Sequence, residues 1–160
     1  MALNLSSGRG DLAALDVPLL VVALASGDRP DERLTALDVP LGGALAKFLD
    51  RRDFRAGRDE TLHLAGGTSG PARVLLVGIG KITERASSLR RAGAIAARQA
   101  GRMGVGQLAF YAGTLSRVET EAVAVGLAAG AWEYTDTKTP PPEDERRAPL
   151  AEATVLLADE

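Results

Sequence analysis

"VLLVGIGK", Val74 to Lys81, decides the fold. A branched apolar run ending in Gly-x-Gly is how a buried strand leaves a sheet, and it is also how many nucleotide-binding turns begin. Spacing separates the two. A dinucleotide fingerprint needs a third glycine three residues after the second, where Thr83 stands. A phosphate loop of the Walker A kind needs a glycine where Leu75 stands and Ser or Thr where Ile82 stands. Both patterns fail, so the stretch reads as a buried strand leaving through a glycine turn, with phosphate binding at that turn as the alternative.

Working outward, "PLLVVALAS", Pro18 to Ser26, is a second continuous apolar run closed by Gly27-Asp28, which suits a strand covered on both faces. The longest apolar stretch, Val17 to Ala25, is too short to cross a bilayer. It ends in Ala23-Leu24-Ala25, which imitates a signal-peptidase site, but Arg9, Asp11 and Asp16 ahead of it are not a basic cluster, and a buried strand is the better reading. In "LGGALAKFL" the period changes: Leu41, Leu45, Phe48 and Leu49 share one side of a helix running to about Arg52. "ETLHLA", Glu60 to Ala65, alternates as a strand does, and "GGTSGP" turns into the run quoted above.

An alanine-rich helix follows from about Ala86 to Met103, with Leu89, Ala92, Ala96, Ala100 and Met103 on one arc and Arg91, Arg98 and Arg102 on a separate stripe. "QLAFYAG", Gln107 to Gly113, is another strand, and Ser116-x-x-Glu119 is a capping-box pattern that opens a further helix. Val118, Ala122, Val125, Ala129 and Trp132 make one apolar stripe on it, and Val123 and Leu127 are apolar on its other side. This helix is therefore expected to need cover on two faces, one of them from outside the chain. After the Pro-rich, charged connector "TDTKTPPPEDERRAP", "EATVLLAD" reads as a last strand. Strands alternating with helices predict a three-layer α/β/α sandwich with a mixed or mostly parallel central sheet.

The totals agree with one domain. At 160 residues the chain can bury a core without staples, and 46% hydrophobic with 25% charged residues indicates neither disorder nor a membrane protein. A net charge of -2 gives no overall attraction for nucleic acid or an anionic membrane, so such a partner needs a local patch. The absence of cysteine excludes disulfides, thiolate zinc sites and cysteine nucleophiles, and points to the cytoplasm.

Candidate chemistry is sparse. The single histidine, His63, sits inside a strand pattern, where a structural role outweighs a catalytic one. The carboxylates of "GDRPDER" and "PPEDERR" lie in connectors that would not hold metal geometry, and no zinc spacing, His-x-x-x-His or Gly-x-Ser-x-Gly occurs. Arg91, Arg98 and Arg102, with Arg85 and Arg90 nearby, are the candidate partner or nucleic-acid surface, since guanidinium groups on one helix face can pair with phosphates. Only 4% of residues are aromatic, so base stacking has little to work with, and a solvated face or subunit contact is favoured over DNA.

"LDVPLGGALAKFLDRRDFRAG", "VLLVGIGK", "LRRAGAIAARQ" and "AVGLAAGAWEYTDTKTP", in this order and spacing, resemble the amino-terminal domain of the leucyl aminopeptidases, the cytosol aminopeptidase family (peptidase family M17). The resemblance covers nearly the whole chain. It departs at Val125-Gly126, where the family often has Glu-Gly, and at Thr137-Lys138-Thr139, where an aromatic residue commonly precedes Lys. It implies a macro-domain-like α/β fold over residues 1–136, a connector at 137–150, and a last strand at 151–160 leading toward a separate carboxy-terminal catalytic domain. The family's Asn-Thr-Asp-Ala-Glu-Gly-Arg-Leu signature is absent here, so no catalytic, metal or cofactor-binding residue is carried over to this chain.

By the same resemblance, the parent enzyme would release amino-terminal residues from peptides using two divalent metals, zinc or manganese. Its partners would be the catalytic domain and further copies in a hexamer, with amino-terminal domains helping to join trimers and shape access to the active sites. Val123 and Leu127 are then the candidate interdomain contact. The other readings are a stand-alone macro-like module that binds ADP-ribose or another nucleotide at the glycine turns near Gly78 and Gly113, and a DNA-binding domain that uses the arginine stripe.

Overall fold

The computed structural model describes residues 3–132, 139 and 142–158. Among these residues six strands form one sheet: β1 Asn4–Gly8, β2 Leu20–Ala25, β3 Thr61–Ala65, β4 Arg73–Gly80, β5 Gln107–Tyr111 and β6 Glu152–Leu156. Their order is β1-β6-β5-β2-β4-β3. Every neighbouring pair is parallel except β3 with β4, which makes the sheet mixed. The central strands β2 and β4 are buried on both faces, which is why they read as unbroken apolar runs.

Helices α1 (Glu32–Asp38) and α2 (Ala44–Asp50) cover one face of the sheet; α3 (Arg85–Met103) and α4 (Arg117–Ala131) cover the other. Alternation along each strand feeds the two cores separately. In β2, Val21 and Ala23 point toward α3 and α4, while Leu20, Val22 and Leu24 pack with Leu34, Leu37, Leu45 and Phe54. The three-layer α/β/α sandwich is the architecture that the alternating pattern calls for.

Three elements depart from the sequence expectation. The helix expected from Leu41 to about Arg52 starts only at Ala44 and ends at Asp50, because Gly42 and Gly43 ahead of it take left-handed φ values of 70° and 81°. Helix α1 arises inside "GDRPDER", a stretch that reads as a solvated connector, because Asp31 Oδ1 accepts the Leu34 N–H at 2.9 Å as an N-cap. Asp38, almost wholly buried, then accepts the N–H groups of Leu45 (2.8 Å) and Ala46 (3.0 Å) and so ties α2 to α1. Strand β1, polar and exposed, carries no apolar alternation and is held by its parallel ladder to β6 and by the Ser6–Thr154 hydroxyl contact at 3.0 Å.

The faces of α4 are interchanged relative to the sequence expectation. Val123 and Leu127 are 0% exposed and belong to the core under α3, so they are not the interdomain contact. Val118, Val125 and Trp132 face outward, at 65%, 54% and 70% exposure. Glycine decides this. Gly93 of α3 lies against the Val123 carbonyl and the Leu127 amide, and Gly126 and Gly130 lie against the backbone of α3 at Arg90 and Ala94. Only the side of α4 that carries these glycines can approach α3 backbone to backbone, and Val123 and Leu127 flank it.

Candidate functional site

The Gly-x-Gly turn is committed to the fold. A Cβ at Gly78 would strike the backbone of Ala56 and Gly57, which cross over β4 at this point. The Gly78 N–H donates to Glu60 O at 2.7 Å and the Gly80 N–H to Ala56 O at 2.9 Å. Those amides are therefore not free for a phosphate. Gly113 has a left-handed φ of 72° and open space around its Cα, yet the Ala112 carbonyl beside it accepts from Arg85 Nη2 at 2.7 Å.

Open α/β sheets place ligands beyond the carboxyl ends of neighbouring strands whose connections leave to opposite faces, and β2 and β5 are such a pair. Here that crevice is filled from within. Tyr111, the last residue of β5, donates its hydroxyl to Asp31 Oδ2 at 2.5 Å, and the Arg33 guanidinium lies 5.1 Å from the centre of its ring. Burial, reinforced by the hydrogen bond to Asp31, pushes the Tyr111 phenol up to about 12. Arg33 also donates to the carbonyls of Gly10 and Leu157, which pins the chain before β2 and after β6 to the same point.

Beside this plug an open cleft of about 600 Å³ remains between the β2–α1 turn and the segment after α2. Leu24 and Phe54 form its apolar floor; Arg29, Arg52 and Arg55 stand at its rim. Arg52 and Ala56 adopt left-handed φ values of 59° and 56°, unusual for residues with side chains, and both line the cleft. Asp28 and Asp50 line the cleft as well, and Asp28 Oδ2 accepts the Ala25 N–H at 2.9 Å.

The arginine stripe of α3 is exposed, and its members differ. Arg91 pairs with Asp59 through two nitrogen–oxygen contacts. The hydrogen-bonded Arg91 guanidinium holds the Asp59 carboxyl below its ordinary range, and the hydrogen bond to that carboxylate raises Arg91 in turn. Among the described residues no carboxylate stands within ion-pair distance of Arg98 or Arg102. The two line an open groove of about 530 Å³ with Gln99 and Ile95 of α3 and Thr61 of β3. Arg85 is structural: its Nε lies 2.8 Å from Glu119 Oε2 at the start of α4, an ion pair whose N–H does not point along the contact.

The Ser116–Glu119 pattern forms the capping box that its spacing predicts. Ser116 Oγ accepts the Glu119 N–H at 3.2 Å, and Glu119 Oε1 accepts the Ser116 N–H at 2.9 Å. The Ser116 amide, with help from its hydroxyl and from Arg85, holds the Glu119 carboxyl below its ordinary range. His63 is exposed on β3 and makes no catalytic constellation. Among the described residues no group of three or more His, Cys, Asp or Glu side chains is placed to hold a metal ion, and no helix is long and apolar enough to cross a membrane. Thr137 and Lys138 of the connector lie outside the described residues.

Comparison with known proteins now bears on these surfaces. The profile described as the cytosol aminopeptidase family, N-terminal domain, matches residues 21–141. A probable cytosol aminopeptidase of Cupriavidus pinatubonensis is 39% identical over 77 residues, which is 47% of this chain and 15% of that protein. A tomato leucine aminopeptidase variant superposes with a TM-score of 0.77 at 20% identity, over 99% of this chain and 34% of that one. The macrodomain of Mycobacterium tuberculosis DarG matches with a TM-score of 0.64 at 13% identity over 99% of this chain and 100% of its own. The likeness to these two structures is one of fold, and it makes the sandwich macro-domain-like. The chain thus spans about a third or less of the aminopeptidases it matches. With three quarters of its length matched in order by one family's profile, and the sandwich of that family's solved structure reproduced end to end, the chain belongs to the cytosol aminopeptidase family as its N-terminal domain.

Proposed function

We propose that this chain serves as the noncatalytic amino-terminal domain of a leucyl aminopeptidase-like metallo-exopeptidase that acts in the cytoplasm. The observation that carries the reading is the family match over residues 21–141 in a chain that spans only 34% of the matched tomato enzyme. The macro-like body takes residues 1–136 together with β6, which lies in its sheet between β1 and β5; 137–150 form the connector, and the segment 151–160 leads on toward the catalytic domain. In that second domain two divalent metals, zinc or manganese, would activate water and polarise the scissile carbonyl.

This chain's part is assembly into a homo-oligomer, a hexamer, and control of access to the active sites. Its outward apolar residues on α4, Val118 and Val125 with Trp132, replace Val123 and Leu127 as the contact with the catalytic domain or with another copy. The test uses the purified 160-residue chain with manganese and an aminoacyl chromogenic substrate. No hydrolysis is expected from the chain alone, and co-purification with the catalytic portion of the same reading frame is expected to weaken in Val118→Asp and Val125→Asp. Hydrolysis by the isolated chain would sink the reading.

A second reading is favoured by one feature, the arginine-rimmed cleft beside β2. A macro-like module could take ADP-ribose or another nucleotide there, with Arg29, Arg52 and Arg55 meeting phosphate; Gly78, whose amide is already bonded, would take no part. Calorimetric silence with millimolar ADP-ribose would remove it. The DNA-binding reading rests on Arg98 and Arg102, since Arg91 is neutralised by Asp59. Affinity for a duplex that did not fall with added salt would count against it.

A further inference from the structure

We propose that β3 and the arginine face of α3 form a docking site for an extended acidic segment of a partner protein, which adds as a strand beyond β3 while its carboxylates pair with Arg98 and Arg102. Among the described residues β3 is the last strand of the sheet, and one side of its backbone has no neighbouring strand. The register says which groups are left. The Glu60 carbonyl accepts the Gly78 N–H and the Gly66 N–H donates to Ala72 O, so the even-numbered residues of this segment exchange the bonds with β4. The N–H and C=O groups of Thr61, His63 and Ala65 therefore point away from the sheet.

Proteins usually blunt such an edge with proline, lysine, a bulge or a covering element. The sequence Thr61-Leu-His-Leu-Ala65 contains neither proline nor lysine, and its pairing with β4 runs without a break. The two faces of the edge differ. Leu62 and Leu64 turn toward the α1–α2 core, whereas Thr61 and His63 stand opposite Val77 and Leu75, residues of the core under α3. A strand added beyond β3 would thus present alternate side chains to the groove lined by Thr61, Ile95, Arg98, Gln99 and Arg102.

Charge selects what those side chains are. Arg91 is matched by Asp59, which leaves Arg98 and Arg102 as the surplus positive charge of the groove. One helical turn apart, they are separated by about 6 Å along the helix axis. Same-face residues of a strand repeat at about 6.6 Å, so acidic residues two apart meet both arginines at once. A second copy of this chain is a poor occupant, because β3 paired with β3 would bring two sets of Arg98 and Arg102 together. The proposal goes beyond the aminopeptidase reading and does not depend on it. Strand addition supplies affinity from the main chain and leaves specificity to the alternating side chains.

The probe is an acetylated, amidated eight-residue peptide alternating Thr and Glu, titrated into the isotope-labelled 160-residue chain by NMR and calorimetry. Amide shifts are expected to concentrate at Thr61, His63 and Ala65 and around Arg98 to Arg102. The double variant Arg98→Glu, Arg102→Glu should weaken binding by about tenfold or more. His63→Pro, which removes an outward N–H and spares the ladder to β4, should do the same. A second peptide, N-methylated at every residue, keeps the side chains and their charge but has no backbone N–H to give the ladder in either strand direction, and it should bind about tenfold more weakly, which decides the matter even if His63→Pro fails to fold. Equal binding of the two peptides, or no binding of either, overturns the proposal. So does a short DNA duplex that displaces the Thr–Glu peptide and is indifferent to His63→Pro, since the groove would then read phosphates.

Discussion

Replacing Gly93 by Ala and Gly101 by Ala makes one chemical change at two places in one helix, two turns apart, and the structure gives the two opposite signs. Both glycines lie in α3 outside the left-handed region, so each substitution gains the same intrinsic helix preference, about 1 kcal/mol. At Gly101 a Cβ meets nothing within 4 Å, and that gain should appear undiminished. At Gly93 the Cβ would stand 2.7 Å from the Val123 carbonyl oxygen and 3.0 Å from the Leu127 nitrogen. These are backbone atoms of α4, which cannot turn aside. Restoring an ordinary carbon–oxygen distance of about 3.4 Å requires the helices to part by roughly 0.7 Å, against a core that contains Leu89, Ala92, Ala96, Val123 and Leu127. Overpacking of this kind costs about 1–3 kcal/mol, and rigid neighbours favour the upper half of that range.

Because helix preference cancels between the two variants, the difference in their stabilities isolates the helix contact, at about 2–3 kcal/mol. In a domain of this size each kcal/mol shifts Tm by about 2–4 °C, so Gly93→Ala should melt roughly 4–12 °C below Gly101→Ala. Urea denaturation with unchanged m-values would confirm that the native state is what changed. Equal midpoints for the two variants, or a more stable Gly93→Ala, would refute the close α3–α4 approach on which the orientation of α4 rests.

Ser116→Ala removes half of the capping box and should cost about 1 kcal/mol in urea titrations. The Glu119 carboxyl is lowered in the folded state, so its contribution is complete above its unfolded value of 4.5 and is lost as pH falls through the folded value; Glu119→Gln should flatten the acid limb of a stability-versus-pH curve there. Tyr111 works in the other direction. Its folded value is raised from 10.0 to about 12, so stability is complete below pH 10 and declines between about pH 10 and 12, a slope that Tyr111→Phe should remove and that phenolate absorbance can follow. Val125→Asp, on the outward face of α4, should leave the unfolding free energy within about 0.5 kcal/mol of that of the unsubstituted chain, whereas Val123→Asp, fully buried, should unfold the domain.

Much of the fold is legible in local pattern because the pattern is made by burial on the sheet. The unbroken runs of β2 and β4 arise from two covered faces, the alanine arc of α3 from a helix lying on them, and the capping box of α4 from hydrogen bonds within four residues. Polar elements escaped. β1 is set by its ladder to β6 at the other end of the chain, and α1 is started by an Asp31 that looks like surface charge until its two oxygens are seen on Leu34 and Tyr111. The stripe of Arg91, Arg98 and Arg102 was legible as a surface. That Asp59 neutralises one of the three was not, because the pair spans 32 residues of sequence.

What the sequence by itself determined is the succession of buried strands and helices, the failure of Val74–Lys81 to match a nucleotide-binding pattern, and a resemblance in ordered segments to one peptidase family. Periodicity and spacing carry that information because each is set by contacts within a few residues or by burial against a single surface. The tertiary structure alone decided which side of α4 is inside and where the glycine amides spend their hydrogen bonds. α4 is apolar nearly all round, so its own pattern leaves its rotation undetermined. The choice falls to steric fit between Gly93, Gly126 and Gly130 and a backbone that lies about thirty residues away in the chain, a fit that exists only once the two helices meet.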